Sequence, residues 1–294
     1  VTTTSELVSE TRRHLQSGAR DELNRLDGAA TASQTALTAE LAMGGIAQGA
    51  LLGIEYEVIY VFSATGQIAT VQRGYLGSAG ATHADDTLIY VNPIFSDWSI
   101  YRALAEELAA LSSPLNGLYR ARTVDLTYSP GREGYDLTAV TDFQGVLNIA
   151  WKGYSTGEWP EIRRYRIAEN MNTAEFASGK ALLLYEGAGP GRTIHMVYKA
   201  PYAALATTST DVAIDTGLHA EAHDILPLGA AARLVATREV KRSFTESQPE
   251  SRDAADVPPG TARGASQYLM ALRNQRIREE ATRLHAHHPT LARI

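Results

Sequence analysis

The sequence predicts a mixed α+β fold: a discontinuous helical bundle core carrying a small β unit and an inserted β-sandwich, jelly-roll-like domain. Three observations predict it. Helical apolar patterns stand at both ends of the chain and once near residue 100. Between them, residues 35–91 and 123–200 break into strand-length apolar pieces bounded by turn residues. A Pro/Gly/charged stretch, SQPESRDAADVPPGTARG, separates the last two helical patterns. The expected organisation is residues 1–122 as N-terminal helices plus the small β unit, 123–224 as the inserted sandwich, and 225–294 as C-terminal helices completing the core.

The elements follow in order. Thr3 and Glu6 have capping-box spacing, Leu7, Thr11 and Leu15 share a helical face, and Gly18 can stop that helix. A short polar helix is expected over Asp21–Leu26, then a small polar loop over 28–34. EVIYVF and QIATVQR flank Ala64-Thr65-Gly66 as a hairpin, and TLIYV adds a strand, giving a β unit of about four strands. Ser96 is an N-cap, and Phe95 and Ile100 have hydrophobic-staple positions. Ile100, Leu104, Leu108 and Leu111 form an apolar stripe that ends before Pro114, with Arg102 and Glu106 on the solvated face. TVDLTY, GVLNIAW, EIRRYRIA, ALLLYE and TIHMVYK read as sandwich strands, with Leu147, Ile149 and Trp151 alternating onto one face. Residues 200–223 read as mostly irregular, and GAAARLVATREVKRSF as a helix. The last helix, about 265–287, aligns Leu269, Leu272, Ile277, Ala281 and Leu284.

Composition bounds the function. At 44% hydrophobic and 20% charged, the chain is ordinary globular material. No apolar run is long enough to span a bilayer, and VTTTSELVSETRRHL has no secretory signal pattern. Zero cysteines exclude disulfides, thiol catalysis and Cys-ligated zinc. A net charge of −6 excludes a basic nucleic-acid footprint over the whole surface, although the tail from 263 to 293 carries six Arg against two Glu.

Candidate chemistry is thin. His219 and His223 in HAEAH have metal-ligand spacing, but Ala220 stands where a zinc protease needs Glu and no third ligand is evident. His285, His287 and His288 fit a helix C-terminus. GAGPGR (187–192) lacks a following helix, and Pro190 removes an amide, so a hairpin turn is expected rather than a phosphate cradle. Trp151 and Trp159 could stack a sugar, and Asp136, Asp142, Glu158 and Glu161 could supply carboxylates, but nothing orders a pair at glycosidase separation. No nucleophile elbow or Ser/His/Asp pattern stands out. No catalytic residue, metal site or cofactor is therefore assigned.

VQRGYLGSAGATHADDTLIYVNP followed by FSDWSIYRALAEELAALSSPLNGLY resembles the neck proteins of tailed bacteriophages, the head-to-tail connector or adaptor family. In these a strand ends in Arg-Gly, a Gly/Ser/Thr segment with a His forms a compact loop, and a strand ending in Asn-Pro leads to a helix. ELVSETRRHLQSGARDELNRL resembles their N-terminal helix, and HDILPLGAAARLVATREVKR with the Arg-rich tail resembles their C-terminal helices. The resemblance implies a non-enzymatic virion component of the neck, assembled in the host cytoplasm. It implies a homo-oligomeric ring, typically twelve-fold, between the portal protein and the next neck or tail ring. Double-stranded DNA would pass through its lumen without sequence-specific binding, and no membrane is involved. The chain departs from the family in its length and its large β region. Arg73 and His83 are expected to tie the loop, with inter-subunit contact as the second choice. Arg273, Arg276, Arg278 and Arg283 are expected to remain available for the portal, since arginine suits bidentate carboxylate pairing. The alternatives are a tail or baseplate protein whose sandwich binds a host glycan, and a metal-dependent or glycan hydrolase.

Overall fold

The computed structural model describes residues 1–15, 21–43, 46–132, 134–245 and 261–288. The fold is mixed α+β: five helices, a six-strand antiparallel half-barrel sheet and two three-strand antiparallel sheets, among the described residues. The chain divides into two compact units, one of residues 1–108 and 204–276, the other of 109–203 and 277–294.

In the first unit, helix α1 (Thr4–Leu15) starts from the expected capping box. The Thr3 amide donates to Glu6 at 2.8 Å and the Glu6 amide donates to Thr3 Oγ1 at 3.2 Å. Gly18 lies outside the described residues. The helix expected over Asp21–Leu26 is instead strand β1 (Glu22–Arg25), paired with β6 (Leu88–Val91). A six-residue polar pattern is too short to hold a helix alone, and the edge of β6 captures it.

The half-barrel has six strands rather than about four. It adds β2 (Ala36–Thr38), β3 (Leu51–Ile54), β4 (Glu57–Thr65) and β5 (Ile68–Gln72), in the order β1-β6-β3-β4-β5-β2. Its ends approach each other, since Leu26 bridges Ala39. The concave face packs Leu26, Leu37, Leu52, Ile54, Ile59, Val61, Ile89 and Val91 into one cluster.

Helix α2 (Asp97–Leu111) begins as expected. Ser96 Oγ accepts from the Ser99 amide at 3.2 Å, and Phe95 and Ile100 are both buried. Further on come α3 (Val212–Thr216), capped by Asp211 and unforeseen in the sequence, and α4 (Ile225–Thr245). Helix α5 (Thr261–His287) starts inside the stretch expected to be a linker. Residues 247–260 of that stretch lie outside the described residues. Leu15, Leu228, Ala231, Ala232, Leu269 and Leu272 join α1, α4 and α5 in one apolar cluster.

The second unit holds β7 (Arg120–Thr127), β8 (Gly134–Asp136), β9 (Gly145–Trp151), β10 (Tyr165–Glu169), β11 (Lys180–Leu184) and β12 (Thr193–Ala200). Its sheets are β10-β11-β8 and β7-β12-β9, and both feed one cluster through Tyr135, Leu182, Ile149, Ile194, Met196 and Tyr198. Two local expectations fail here. Leu147 does not alternate with Ile149, because a bulge pairs Val197 with Asn148 and Tyr198 with Val146, and Val146 takes the core-facing place. GAGPGR is not a hairpin turn. It carries the chain from β11 in one sheet to β12 in the other, so its ends never pair.

Candidate functional site

The loop between β5 and β6 is tied to one buried carboxylate. Glu57 opens β4 and is 1% exposed. Arg73 grips it with both arms of its fork, Nε to Oε1 at 2.8 Å and Nη2 to Oε2 at 2.7 Å. The amides of Gly74 and Ala81 donate to the same carboxylate at 2.9 and 3.0 Å, and His83 Nε2 meets it at 2.8 Å. Arg73 also donates to the carbonyls of Thr31, Gln34 and Ala81. His83 Nδ1 meets Glu55 at 2.8 Å, and the His83 backbone exchanges two hydrogen bonds with Ala30.

Two glycines make room for this arrangement. Gly74 adopts φ +63°, and a Cβ on Gly80 would lie 2.7 Å from the Ala32 carbonyl oxygen. Downstream, the Asn92 side chain accepts from the Leu51 amide at 2.9 Å, which closes the strand before Pro93 turns the chain into α2. The motif that opens on Arg-Gly and ends on Asn-Pro is thus a self-stapled loop.

Electrostatics fit a staple. Burial alone would raise the Glu57 pKa, but hydrogen bonds from His83, Arg73 and the Ala81 and Gly74 amides bring it down to about 2. Burial alone would lower the His83 pKa, but the carboxylates of Glu57 and Glu55 outweigh it and raise it. His83 thus sets one ring nitrogen against each of two carboxylates, an arrangement that favours its protonated form.

Beside it lies a cleft of about 380 Å³, lined by Ser5, Ser9 and Arg12 of α1 with Tyr56, Tyr90 and Asp97. Arg12 pairs with Asp97 and lies over the Tyr90 ring at 4.5 Å. Burial, then the Asp97 charge, pushes the Tyr56 hydroxyl up to about 12, so it stays protonated and offers no base near neutral pH.

The arginines of α5 are mostly engaged. Arg273 is buried and pairs with Glu107 of α2, which is 1% exposed and also takes Arg233 at 3.0 Å. Gly229 lies against this carboxylate, and a Cβ there would sit 2.2 Å from Glu107 Cδ. Arg276 forks onto Asp224 at 2.7 and 3.2 Å. Arg283 forks onto Glu280 at 2.8 and 2.5 Å. Arg278 is exposed.

The other residues singled out by sequence are scattered. His223 is buried and donates from Nε2 to the Leu218 carbonyl at 3.1 Å, while His219 is exposed. Burial lowers the His223 pKa and keeps the ring neutral. Among the described residues, no group of three or more His, Asp or Glu is placed to hold a metal ion. His288 lies against the Tyr119 ring, with His285 and His287 in the last turn of α5. Asp136 is tied to Ser178, Thr138 and the amide of Ala177, Asp142 pairs with Arg122, and Glu161 with Arg163. Glu158 closes a turn, its carbonyl accepting from the Gly153 amide at 2.9 Å. Trp151 is partly buried on the core, whereas Trp159 and Tyr154 are exposed. No described helix is long and apolar enough to cross a membrane.

The carboxylates that organise these sites, Glu57, Glu55, Glu107 and Asp224, are not singled out by any motif. Glu107 did leave a signal: it stands seven residues after Ile100, on the apolar stripe of α2. Compared with known protein families and with curated proteins, the chain matches none.

Proposed function

We propose that this chain is a structural, non-enzymatic subunit of a tailed-phage neck, a head-to-tail adaptor that forms a ring beneath the portal and gives the genome passage. In this reading α1, α2, α4 and α5 make the discontinuous helical core, the half-barrel is its β unit, and the strands β7–β12 are an inserted sandwich. The observation that carries it is the saturation of Glu57. A carboxylate with five donors and a pKa near 2 is a poor acid or base at neutral pH, and it fixes the Arg-Gly loop on which the resemblance rests. Glu107, held between Arg233 and Arg273, fits the same use of buried charge. Such groups hold segments in place.

The test is electron microscopy of the purified full chain and of labelled virions. Rings in the first and label at the neck are expected. A chain that stays monomeric, alone and with portal, and whose label falls elsewhere, would sink the reading. Exposed Trp159 and Tyr154 favour the glycan-binding alternative, in which label at the tail tip and retention on a host-glycan column are expected instead.

A further inference from the structure

The sheet β7-β12-β9 of the second unit turns one face to the core and the other to solvent. The register sorts that outer face into rows, because residues directly opposite each other share a side. Asp125 on β7, His195 on β12 and Ala150 on β9 form one row, and Glu161 extends it by bridging Ala150 from the segment beyond β9. The neighbouring row follows from the same ladders. Thr127 stands opposite Thr193, and the Lys152 amide donates to the Thr193 carbonyl. Trp159, two residues before Glu161, falls opposite Lys152, since the Gly153 amide donates to the Glu158 carbonyl.

Trp159 starts on the far side of β9, yet its ring lies edge-on to His195 of β12, with centroids 5.7 Å apart and planes at 61°. The two backbones are two strand spacings apart, about 10 Å, so the indole reaches across β9. Ala150 faces outward along that path and is only 6% exposed, as a residue roofed by a ring is. His195 is fixed in turn by Asp125, which meets its Nδ1 at 2.6 Å. Trp159 remains 46% exposed, so a held indole turns its free side to solvent.

The surroundings select the occupant. Asp125 is paired with His195 and Glu161 with Arg163, and Lys152 and Arg163 balance the two carboxylates. The face therefore has no excess of either sign with which to hold a phosphate backbone or a strongly charged partner. Besides Trp159, its rows carry one sizeable apolar side chain, the half-buried Val197, which is too little for the apolar centre of a protein interface. What remains is neutral and polar. The side chains of Thr123, Thr127, Thr193 and Asn148 make no hydrogen bond among the described residues. A flat indole beside unpaired hydroxyl and amide groups matches a sugar ring, which has an apolar C–H face and a rim of hydroxyls that both donate and accept.

We infer that the outer face of β7-β12-β9 binds a neutral sugar, the ring stacked on Trp159 and its hydroxyls held by His195, Asp125 and the threonines beside them. This names the residues of the glycan-binding alternative and rests on no placement at neck or tail. The probe is the labelled full chain on an array of neutral and sialylated oligosaccharides. Binding to neutral glycans is expected, competed by the same oligosaccharide free in solution. Trp159→Ala should lower that signal at least about tenfold, and Trp159→Tyr should keep most of it. Asp125→Ala unpins His195 without touching the indole, and should weaken binding severalfold at an unchanged melting temperature, so the site does not hang on one variant. Tyr268→Ala, which removes an exposed ring on α5, should change nothing. Neutral-glycan binding that both Trp159→Ala and Asp125→Ala retain in full, or binding confined to sialylated glycans, would overturn the site alone. No binding anywhere on the array would overturn the site and the glycan-binding alternative together, and leave the neck reading to its own test.

Discussion

Replacing Glu57 with Gln is the sharpest perturbation of the stapled loop. The side chain keeps its shape but loses its charge, while Arg73 and His83 stay buried against it. Lowering Glu57 from 4.5 to about 2 corresponds to about 3 kcal/mol in favour of the folded state at neutral pH. For a folding unit of this size that is a fall of about 6–12 °C in melting temperature. The pH dependence has two limbs. Glu57 is lowered, so its contribution is present above 4.5 and is lost as pH falls toward 2. His83 is raised, so its contribution is complete below 6.5 and is lost as pH rises through the higher folded value. The staple is therefore strongest between 4.5 and 6.5. Circular dichroism melts of wild type and Glu57→Gln across the acid and neutral range would read both limbs. The variant should melt lower at pH 6 and lose most of the acid limb. A variant that melts within about 2 °C of wild type and keeps the same acid dependence would refute the assignment of that stability to Glu57.

Two further predictions follow from packing. Gly229→Ala places a methyl where the pinned Glu107 carboxylate sits, and should cost about 1–3 kcal/mol in denaturant melts, less in a Glu107→Gln background. Because the bulge takes Leu147 out of the core, Leu147→Ala should cost under about 1 kcal/mol while Ile149→Ala costs about 2–5 kcal/mol, and equal costs would contradict the register.

Much of the fold was legible because it is local. The Thr3/Glu6 box, the Ser96 cap with its staple, and five of the second unit's strands rest on signals within a few residues. What escaped depends on partners distant in sequence. β1 is a strand only because β6 offers it an edge. β8 is three residues long and exists through β11. The bulge at Leu147 is set across the ladder with β12, not within GVLNIAW. The site divides the same way. Arg73 and His83 stood out in a Gly-rich loop, yet their partner Glu57 lies 16 and 26 residues away in an apolar strand. Glu107 sat on a stripe whose apolar members drew the eye, and its partners Arg233 and Arg273 are more than a hundred residues on.

The pairing of the α5 arginines bears on how this helix could bind a partner. The four were expected to be available together, but Arg273 is buried on Glu107, Arg276 forks onto Asp224 and Arg283 onto Glu280. Recruiting Arg273 to a portal carboxylate would leave Glu107 with Arg233 alone and open a buried pair, at a cost of about 3–5 kcal/mol. That weakens binding by a hundredfold or more, which one new surface pair does not recover. Arg278 is exposed and carries no such penalty. If α5 docks on the portal, then, Arg278 is the arginine through which it does so, while Arg273 keeps the helix folded. Arg278→Glu should lower binding of the full chain to purified portal and leave the melting temperature unchanged. Arg273→Lys should do the reverse, lowering the melting temperature while the folded fraction binds normally. The opposite pattern, with Arg278→Glu binding as wild type and folded Arg273→Lys failing to bind, would mean that the Glu107 pair opens on docking and that its energy is part of the binding step.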